Sequence, residues 1–466
     1  MLKRSSGLVI FDITQLALRA VLPTPSGIGR VELAYAKHFA TNYPGIVRFG
    51  FGFMQLVKLI PNAVALRYIA EIERVWKNED RQSDDFARRI EKFVSAPLGA
   101  LSSQTERLKA GGPRDRNRAY LLSELAIRSA LGFFGSRKLF QIAESSNQNV
   151  YVSVSNSIIG SNRLRKWLAN SPSIKKIFLL HDIIPITNPE YTIPSRTTAH
   201  ERYARRLASE ADLIIANSDY TRDCYAEYAD KVEIKSPEIA VSQLGVDECF
   251  APTRDLFESG KPYFVYIGTI EPRKNHVLLL QVWQRLAEKL GSACPKLILI
   301  GRRGWENENV VDLLDRSVAL REHVLECSNI PDGLLVKIVA NARAALFPSL
   351  IEGFGLPVAE ALAVGTPVIC SDLPPFHEVA GDIPDYVDPL AGRGWIKLIA
   401  DYSRPDGEMR GRQLSRMKGF KPPRWKDHMR VIDNALLRCG LSDLPREPKE
   451  AGARAGLGSL GLEPVA

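Results

Sequence analysis

A chain of 466 residues is too long for one ordinary core, and two domains of about 200 residues each are the natural expectation. With 45% apolar and 25% charged residues it is neither a disordered nor a fibrous chain. The formal charge of +9 fits anionic substrates, an anionic membrane surface or simply a basic soluble protein. No helix-turn-helix, zinc or RNA-recognition pattern accompanies that charge, so nucleic acid is not an expected partner.

In chain order, the apolar run from Leu8 to Phe11 ending at Asp12 predicts a buried strand and is too short for a signal peptide. Pro23 to Gly29 predicts a loop with two glycines, and Arg30 to Phe39 has helical spacing. Strand, glycine loop and helix open a nucleotide-binding α/β unit. The stretch 60–145 is less patterned and is expected to be an insertion. Within it, 107–138 carries eight Lys or Arg against two acids, net +6, with Leu131, Phe133 and Phe134 among them. That mixture fits a membrane-surface helix or a solvated helix on the first domain. Further strands are expected at Val150–Ser153, Ile177–Leu180, Asp212–Ala216 and Val241–Asp247, with a helix over Thr197–Glu210. Asp247 to Lys261 reads as the linker.

The second half repeats the alternation, which predicts a second parallel, doubly wound sheet. Strands are expected at Tyr263–Gly268, Lys296–Gly301, Ala344–Phe347 and Val368–Cys370. Helices are expected at His276–Leu290, Asn309–Leu320 and Asp332–Asn341, and a last one from about Lys421 to Arg438. The domains are therefore expected at 1–250 and 258–421, followed by a helix over 422–441 and a disordered Gly/Pro/Ala-rich tail over 442–466. No run reaches the length of a membrane span.

The run Phe347-Pro-Ser-Leu-Ile-Glu-Gly-Phe-Gly-Leu-Pro-Val-Ala-Glu360 carries the most chemistry. Pro357 suits the first turn of a helix, and Gly365 followed by Thr366-Pro367 ends it. A glycine loop opening a helix leaves free N–H groups and a positive dipole end, a setting for phosphate at Gly353, Phe354, Gly355 and Leu356. Glu360, one turn in, can accept hydrogen bonds from sugar or ribose hydroxyls, and Glu352 can do so nearer a reacting centre. Arg273 and Lys274 follow a strand end and precede a helix; a fork of donors beside a point charge can hold both phosphates of a leaving group. His181 ends an apolar strand, where open α/β sheets bind their ligands. Gly27 and Gly29 would let backbone approach a diphosphate or the acceptor, and Arg30 could contact phosphate at the start of that helix.

Six cysteines, Cys224, Cys249, Cys294, Cys327, Cys370 and Cys439, form no C-x-x-C pair, which argues against a metal or redox centre and for reduced thiols in a cytosolic setting. No D-x-D triplet is present; Asp382, Asp385 and Asp388 are wider spaced and read as surface loop. Charge stabilisation then falls to Arg and Lys, and a metal-independent reaction without a cofactor is expected. A Rossmann dehydrogenase is disfavoured because Gly27-Ile-Gly29 is followed by Glu32 where a third glycine is needed.

Glu352-Gly-Phe-Gly-Leu-Pro with Glu360 eight residues on resembles the signature of retaining glycosyltransferases of family 4. So do Gly268-Thr-Ile-Glu-Pro-Arg-Lys-Asn-His276, Asp12-Ile-Thr with Gly27-Ile-Gly-Arg30, His181-Asp182 and Asn217-Ser-Asp-Tyr-Thr221. The resemblance implies the α/β GT-B fold: two Rossmann-like domains with parallel sheets facing across a cleft. It implies a nucleotide-sugar donor in the second domain and a glycan or lipid-linked acceptor in the first. Gly268 would lie in the basic phosphate loop, with Thr269 standing where many members have arginine. His181 would lie near the donor sugar. Retention would come from front-face attack, with the donor phosphate taking the acceptor proton. The phrase around Arg273 leans towards bacterial mannosyltransferases using GDP-mannose in polysaccharide or lipopolysaccharide assembly. The expected place is the cytoplasm, with peripheral contact on the inner face of the membrane. Two alternatives stand beside this: an epimerase or phosphorylase of the same fold, turning over without acceptor or with free phosphate, and a non-catalytic peripheral membrane or scaffold protein, which would not hydrolyse donor.

Overall fold

The computed structural model describes residues 7–19, 24–53, 56–77, 82–96, 108–109, 148–155, 171–253 and 262–441. The basic stretch 107–138, apart from Leu108 and Lys109, and the tail 442–466 lie outside the described residues. Strands follow in chain order as β1 (Val9–Asp12), β2 (Val47–Phe53), β3 (Leu56–Ile60), β4 (Leu108–Lys109), β5 (Val150–Ser153), β6 (Lys175–Leu180) and β7 (Leu213–Ala216). Then come β8 (Glu238–Val241), β9 (Tyr263–Ile267), β10 (Lys296–Ile300), β11 (Val324–Ser328), β12 (Ala344–Phe347), β13 (Val368–Ser371) and β14 (Asp385–Val387).

They form two seven-stranded sheets, ordered β3-β2-β1-β5-β6-β7-β8 and β14-β13-β12-β9-β10-β11-β4. Every pairing is parallel except β2 with β3. The central strands are continuous apolar runs, because helices cover both faces of a parallel sheet. Val9–Asp12, Leu213–Ala216, Lys296–Ile300 and Ala344–Phe347 are buried at every position. Trp283 and Trp395 are fully buried in the second core, the former edge-on to Phe264 at 5.8 Å. In the first core Phe11 packs on Phe39 at 5.1 Å.

Several boundaries differ from the sequence-based expectation, each for a local reason. Gly27 and Gly29 belong to the first turn of the Gly27–Asn42 helix rather than to a loop, because Ser26 caps it, its hydroxyl accepting from Gly29 N at 3.1 Å. The last strand of the first sheet is Glu238–Val241; Ser242 to Val246 leaves the sheet, and Val246 N donates to Pro423 O at 2.9 Å. The helix expected over Asn309–Leu320 breaks at Ser317, whose backbone is extended, into Glu308–Arg316 and Val318–Arg321. Asp385 lies in β14 rather than on a surface loop; it is buried and accepts from Tyr402 Oη at 2.7 Å and from Arg416.

The chain does not keep its halves apart. Leu108–Lys109, in the stretch expected as an insertion of the first domain, pairs with β11 and forms the edge of the second sheet. The Gln82–Ser95 helix reaches the same region, with Phe93 under Lys296 Nζ at 5.0 Å. In return, the Trp425–Arg438 helix packs on the first domain: His428 Nε2 meets Tyr35 Oη at 2.7 Å, and His38 Nε2 meets Asp433 at 2.8 Å.

Candidate active site at the junction of the two sheets

The carboxyl ends of the strands of both sheets converge. β9 leads to Arg273 and Lys274, β12 leads to Glu352, and β6 leads to His181. They meet where Gly353 lies against His181: a Cβ on Gly353 would stand 2.6 Å from His181 O and 2.9 Å from Asp182 Cβ. Two backbones approach so closely there that only glycine fits.

Glu352 is the hub of a charge cluster. Arg273 Nη1 donates to its Oε2 at 2.6 Å, Lys274 Nζ donates to its Oε1, and Ser349 Oγ donates to the same Oε1 at 2.8 Å. Arg273 Nε pairs in addition with Glu271 at 2.7 Å, and Arg273 O accepts from Leu350 N at 2.7 Å, tying the two loops together. Burial opposes the charge on Glu352, but Arg273 and Lys274 outweigh it and hold the carboxyl down at about 2. Burial and the neighbouring Arg273 pull Lys274 below its ordinary value, with Glu352 opposing them. Burial raises Glu271, with Arg273 and Lys274 opposing the rise. The cations are thus aimed by a fixed carboxylate. Sequence pattern expected Glu352 to face sugar hydroxyls; in this structure its carboxylate is taken up by the two cations.

A second cluster crosses between the sheets. Arg30 forms a bidentate pair with Asp332, Nη1–Oδ2 at 2.7 Å and Nη2–Oδ1 at 2.5 Å, and its Nε lies 4.0 Å from Glu360 Oε1. Glu360 is 4% exposed, and its Oε1 has no hydrogen-bond partner among the described residues. Burial pushes this carboxyl up to about 7; Arg30 opposes the rise, and Asp332 and Asp247 add to it. A buried acid with a vacant acceptor is ready to receive a donor hydroxyl.

The remaining residues fall into place around these clusters. Gly355 caps the Leu356–Ala363 helix at φ 111°, a left-handed conformation that favours glycine, and a Cβ there would strike Phe376 at 2.7 Å. Phe354 is buried, and Leu356 starts the helix, with Pro357 in its first turn. Gly268 follows β9 beneath the Arg273 loop, with its carbonyl packed against Gly301. His181 Nε2 lies 2.8 Å from Val154 O, so Nε2 carries the ring proton and donates it to that carbonyl. A Cβ on Gly27 would meet nothing within 4 Å, and one on Gly29 would meet Trp76 at 3.3 Å. Sequence reasoning missed Glu271, Asp332 and Glu378. Glu271 stood in the quoted run beside Arg273, where an acid two positions before a base was the available signal. Asp332 and Glu378 act across the junction, and nothing local in the sequence marks that.

A solved structure of Anabaena Alr3699/HepE in complex with UDP and glucose superposes with a TM-score of 0.56 at 13% identity, covering 93% of this chain and 100% of that one. The fold is GT-B. Residues 252–383, which hold both loops of the Glu352 cluster, match the family model described as Glycosyl transferases group 1. The chain is 33% identical over 261 residues to the O-antigen chain mannosyltransferase B of Escherichia coli, covering 53% of this chain and 66% of that protein. It is 33% identical over 234 residues to the O-antigen chain mannosyltransferase RfbU of Salmonella typhimurium, covering 49% and 61%. It is 30% identical over 240 residues to the serotype-specific mannosyltransferase WbdA of Escherichia coli, of which it spans 29%. Each of these alignments covers less than two thirds of the relative. Among the described residues, no helix of the GT-B chain is long and apolar enough to cross a membrane.

Proposed function

We propose that this protein is a retaining glycosyltransferase of family 4 that moves mannose from GDP-mannose to a glycan or lipid-linked acceptor in bacterial O-antigen synthesis, at the inner face of the cytoplasmic membrane. The observation that carries this reading is the Arg273–Lys274–Glu352 cluster, lying at the meeting of the two sheets and inside the segment that matches the glycosyltransferase family. The mannosyltransferase names of the relatives support the sugar.

The chemistry follows from the charges. When the glycosidic carbon–oxygen bond of the donor breaks, its electron pair goes to the leaving diphosphate. Arg273 and Lys274, already oriented by Glu352, receive that charge without having to reorganise. The acceptor hydroxyl attacks from the same face and its proton goes to the leaving phosphate oxygen, so no side-chain base is needed. Glu360 receives ribose hydroxyls, and His181, its Nε2 committed to Val154 O, presents its ring edge beside the reacting carbon.

Two measurements test this. In a thermal-shift panel of GDP, UDP and ADP, GDP raises the melting temperature most, because a nucleotide that binds only the folded state stabilises it. With GDP-mannose and a lipid-linked acceptor, proton NMR of the product gives the α anomer of the donor; an inverted anomer would reject retention, and absence of any transfer would reject the activity.

A further inference from the structure

The start of the Asp219–Lys231 helix, which belongs to the first sheet, is gripped by the second domain in a way the proposed chemistry has not used. Ser218 Oγ donates to Gly353 O at 2.6 Å, and Thr221 Oγ1 donates to the same oxygen at 3.0 Å. One carbonyl oxygen thus has both acceptor positions filled from across the junction. Ser218 and Thr221 are 0% and 2% exposed, so water does not compete for these bonds. Ser218 serves two ends at once: its oxygen accepts from Thr221 N at 2.9 Å as the helix cap, leaving its hydrogen for Gly353. The helix start is held a second time by Glu378, whose carboxylate accepts from Asp219 N at 2.7 Å and Tyr220 N at 2.8 Å. Gln243 Nε2 donates to Glu378 O at 2.7 Å from the first domain's side.

Gly353 directly follows Glu352. Holding the Gly353 carbonyl, which lies in the peptide to Phe354, anchors the loop immediately after Glu352, and the Glu352 carboxylate holds both Arg273 and Lys274. We propose, on the basis of the glycosyltransferase reading above, that Ser218 and Thr221 are positioning residues: by pinning the Gly353 carbonyl from the first domain they seat Glu352 between Arg273 and Lys274. The cation cluster, built wholly from second-domain residues, then depends on the first domain for its geometry.

The test compares Thr221→Val, Ser218→Ala and the double variant with Thr221→Ser. Valine keeps the branched shape and removes the hydroxyl; serine keeps the hydroxyl. In the double variant kcat with GDP-mannose falls about 10- to 100-fold, as small misplacements of a catalytic group do. Donor KM stays within about twofold, the signature of an interaction that matters in the transition state rather than in ground-state binding. Thr221→Ser retains most of the wild-type kcat. Amide hydrogen exchange over residues 349–355 accelerates in the double variant. A folded double variant with wild-type kcat, a loss confined to KM, or a Thr221→Ser enzyme as slow as Thr221→Val overturns the assignment. Should the double variant not fold, Thr221→Val alone carries the same comparison, since the cap at Ser218 is intact in it. Should the wild-type protein transfer no sugar from GDP-, UDP- or ADP-linked donors, the functional reading falls, and exchange over 349–355 decides the pinning by itself: faster exchange in Thr221→Val supports it, unchanged exchange overturns it.

Discussion

On the second-sheet side of the junction the functional groups are ions: Arg273 and Lys274 held by Glu352, with Glu271 behind Arg273. On the first-sheet side they are mostly neutral: His181 bonded to a backbone carbonyl, and the Ser218 and Thr221 hydroxyls on Gly353. Arg30 and Asp182 are charged members of that side, and Arg30 too is committed across the junction, to Asp332. Losing an ion from the second side therefore changes electrostatics and stability together, whereas losing a hydroxyl from the first side changes geometry and stability without changing charge. Substitutions on the two sides should fail in different ways.

The widest gap is expected at Lys274. Lys274→Ala removes a cation aimed at the leaving phosphate and lowers kcat about a hundredfold or more, while the protein stays folded. Near-normal turnover at saturating donor would take Lys274 out of the chemistry and blur the distinction between the sides.

Next is Glu352→Gln, which leaves Arg273 and Lys274 buried with less compensation and lowers unfolding free energy by about 2 kcal/mol at pH 7. The carboxyl is depressed from 4.5 to about 2 by the two cations, so its contribution is complete above pH 4.5 and is lost as the pH falls towards 2. Urea unfolding from pH 5 to pH 2.5 should therefore show wild type and variant converging; parallel curves would mean that the carboxylate is not held by the cations in solution.

Smaller again is the effect of Glu360→Gln, which keeps the shape and one acceptor and weakens nucleotide-sugar binding about three- to tenfold. Here the sign is opposite. Burial raises this carboxyl from 4.5 to about 7, so its ionised form costs stability, and that cost grows as the pH rises from 4.5 to 7. The ionised form is also the better acceptor, so donor affinity should rise between pH 6 and pH 8 in wild type and stay flat in the variant. Calorimetric titration at the two pH values decides it; equal dissociation constants in both proteins would remove Glu360 from the site.

The smallest effect expected is none at all: turnover in EDTA equal to turnover without it, because the proposed chemistry takes its charge from Arg273 and Lys274. Loss of activity restored by magnesium or manganese would transfer that role to an ion.

What could be read in advance follows the range of the signal. Alternating apolar runs and helical spacing located His276–Leu290 to the residue, because buried parallel strands and their helices carry their periodicity locally. The glycine-proline punctuation around Glu352 marked the loop, the Leu356–Ala363 helix and the turn at Gly365, whose φ is 87°. Ser26 capped a helix that two glycines had seemed to exclude. Strands β2 and β3 and the Gln82–Ser95 helix went unread: Gly50 and Gly52 interrupt β2, and the helix lies in the poorly patterned stretch that follows. The bonds from Arg30 to Asp332 and from Ser218 to Gly353 span 302 and 135 residues, and such contacts leave no trace in spacing.

The two-residue strand Leu108–Lys109 has a consequence for how proteins of this shape can be recombined. Because it closes the open edge of β11, the second sheet borrows its last strand from the half that precedes the linker. A hybrid made by splicing the front half of one relative to the back half of another near residue 252 would set a foreign strand against that edge, or leave its backbone groups bare and prone to pair with other chains. Exchange of the second halves, by evolution or by design, must therefore carry residues 82–109 along with the sheet they serve.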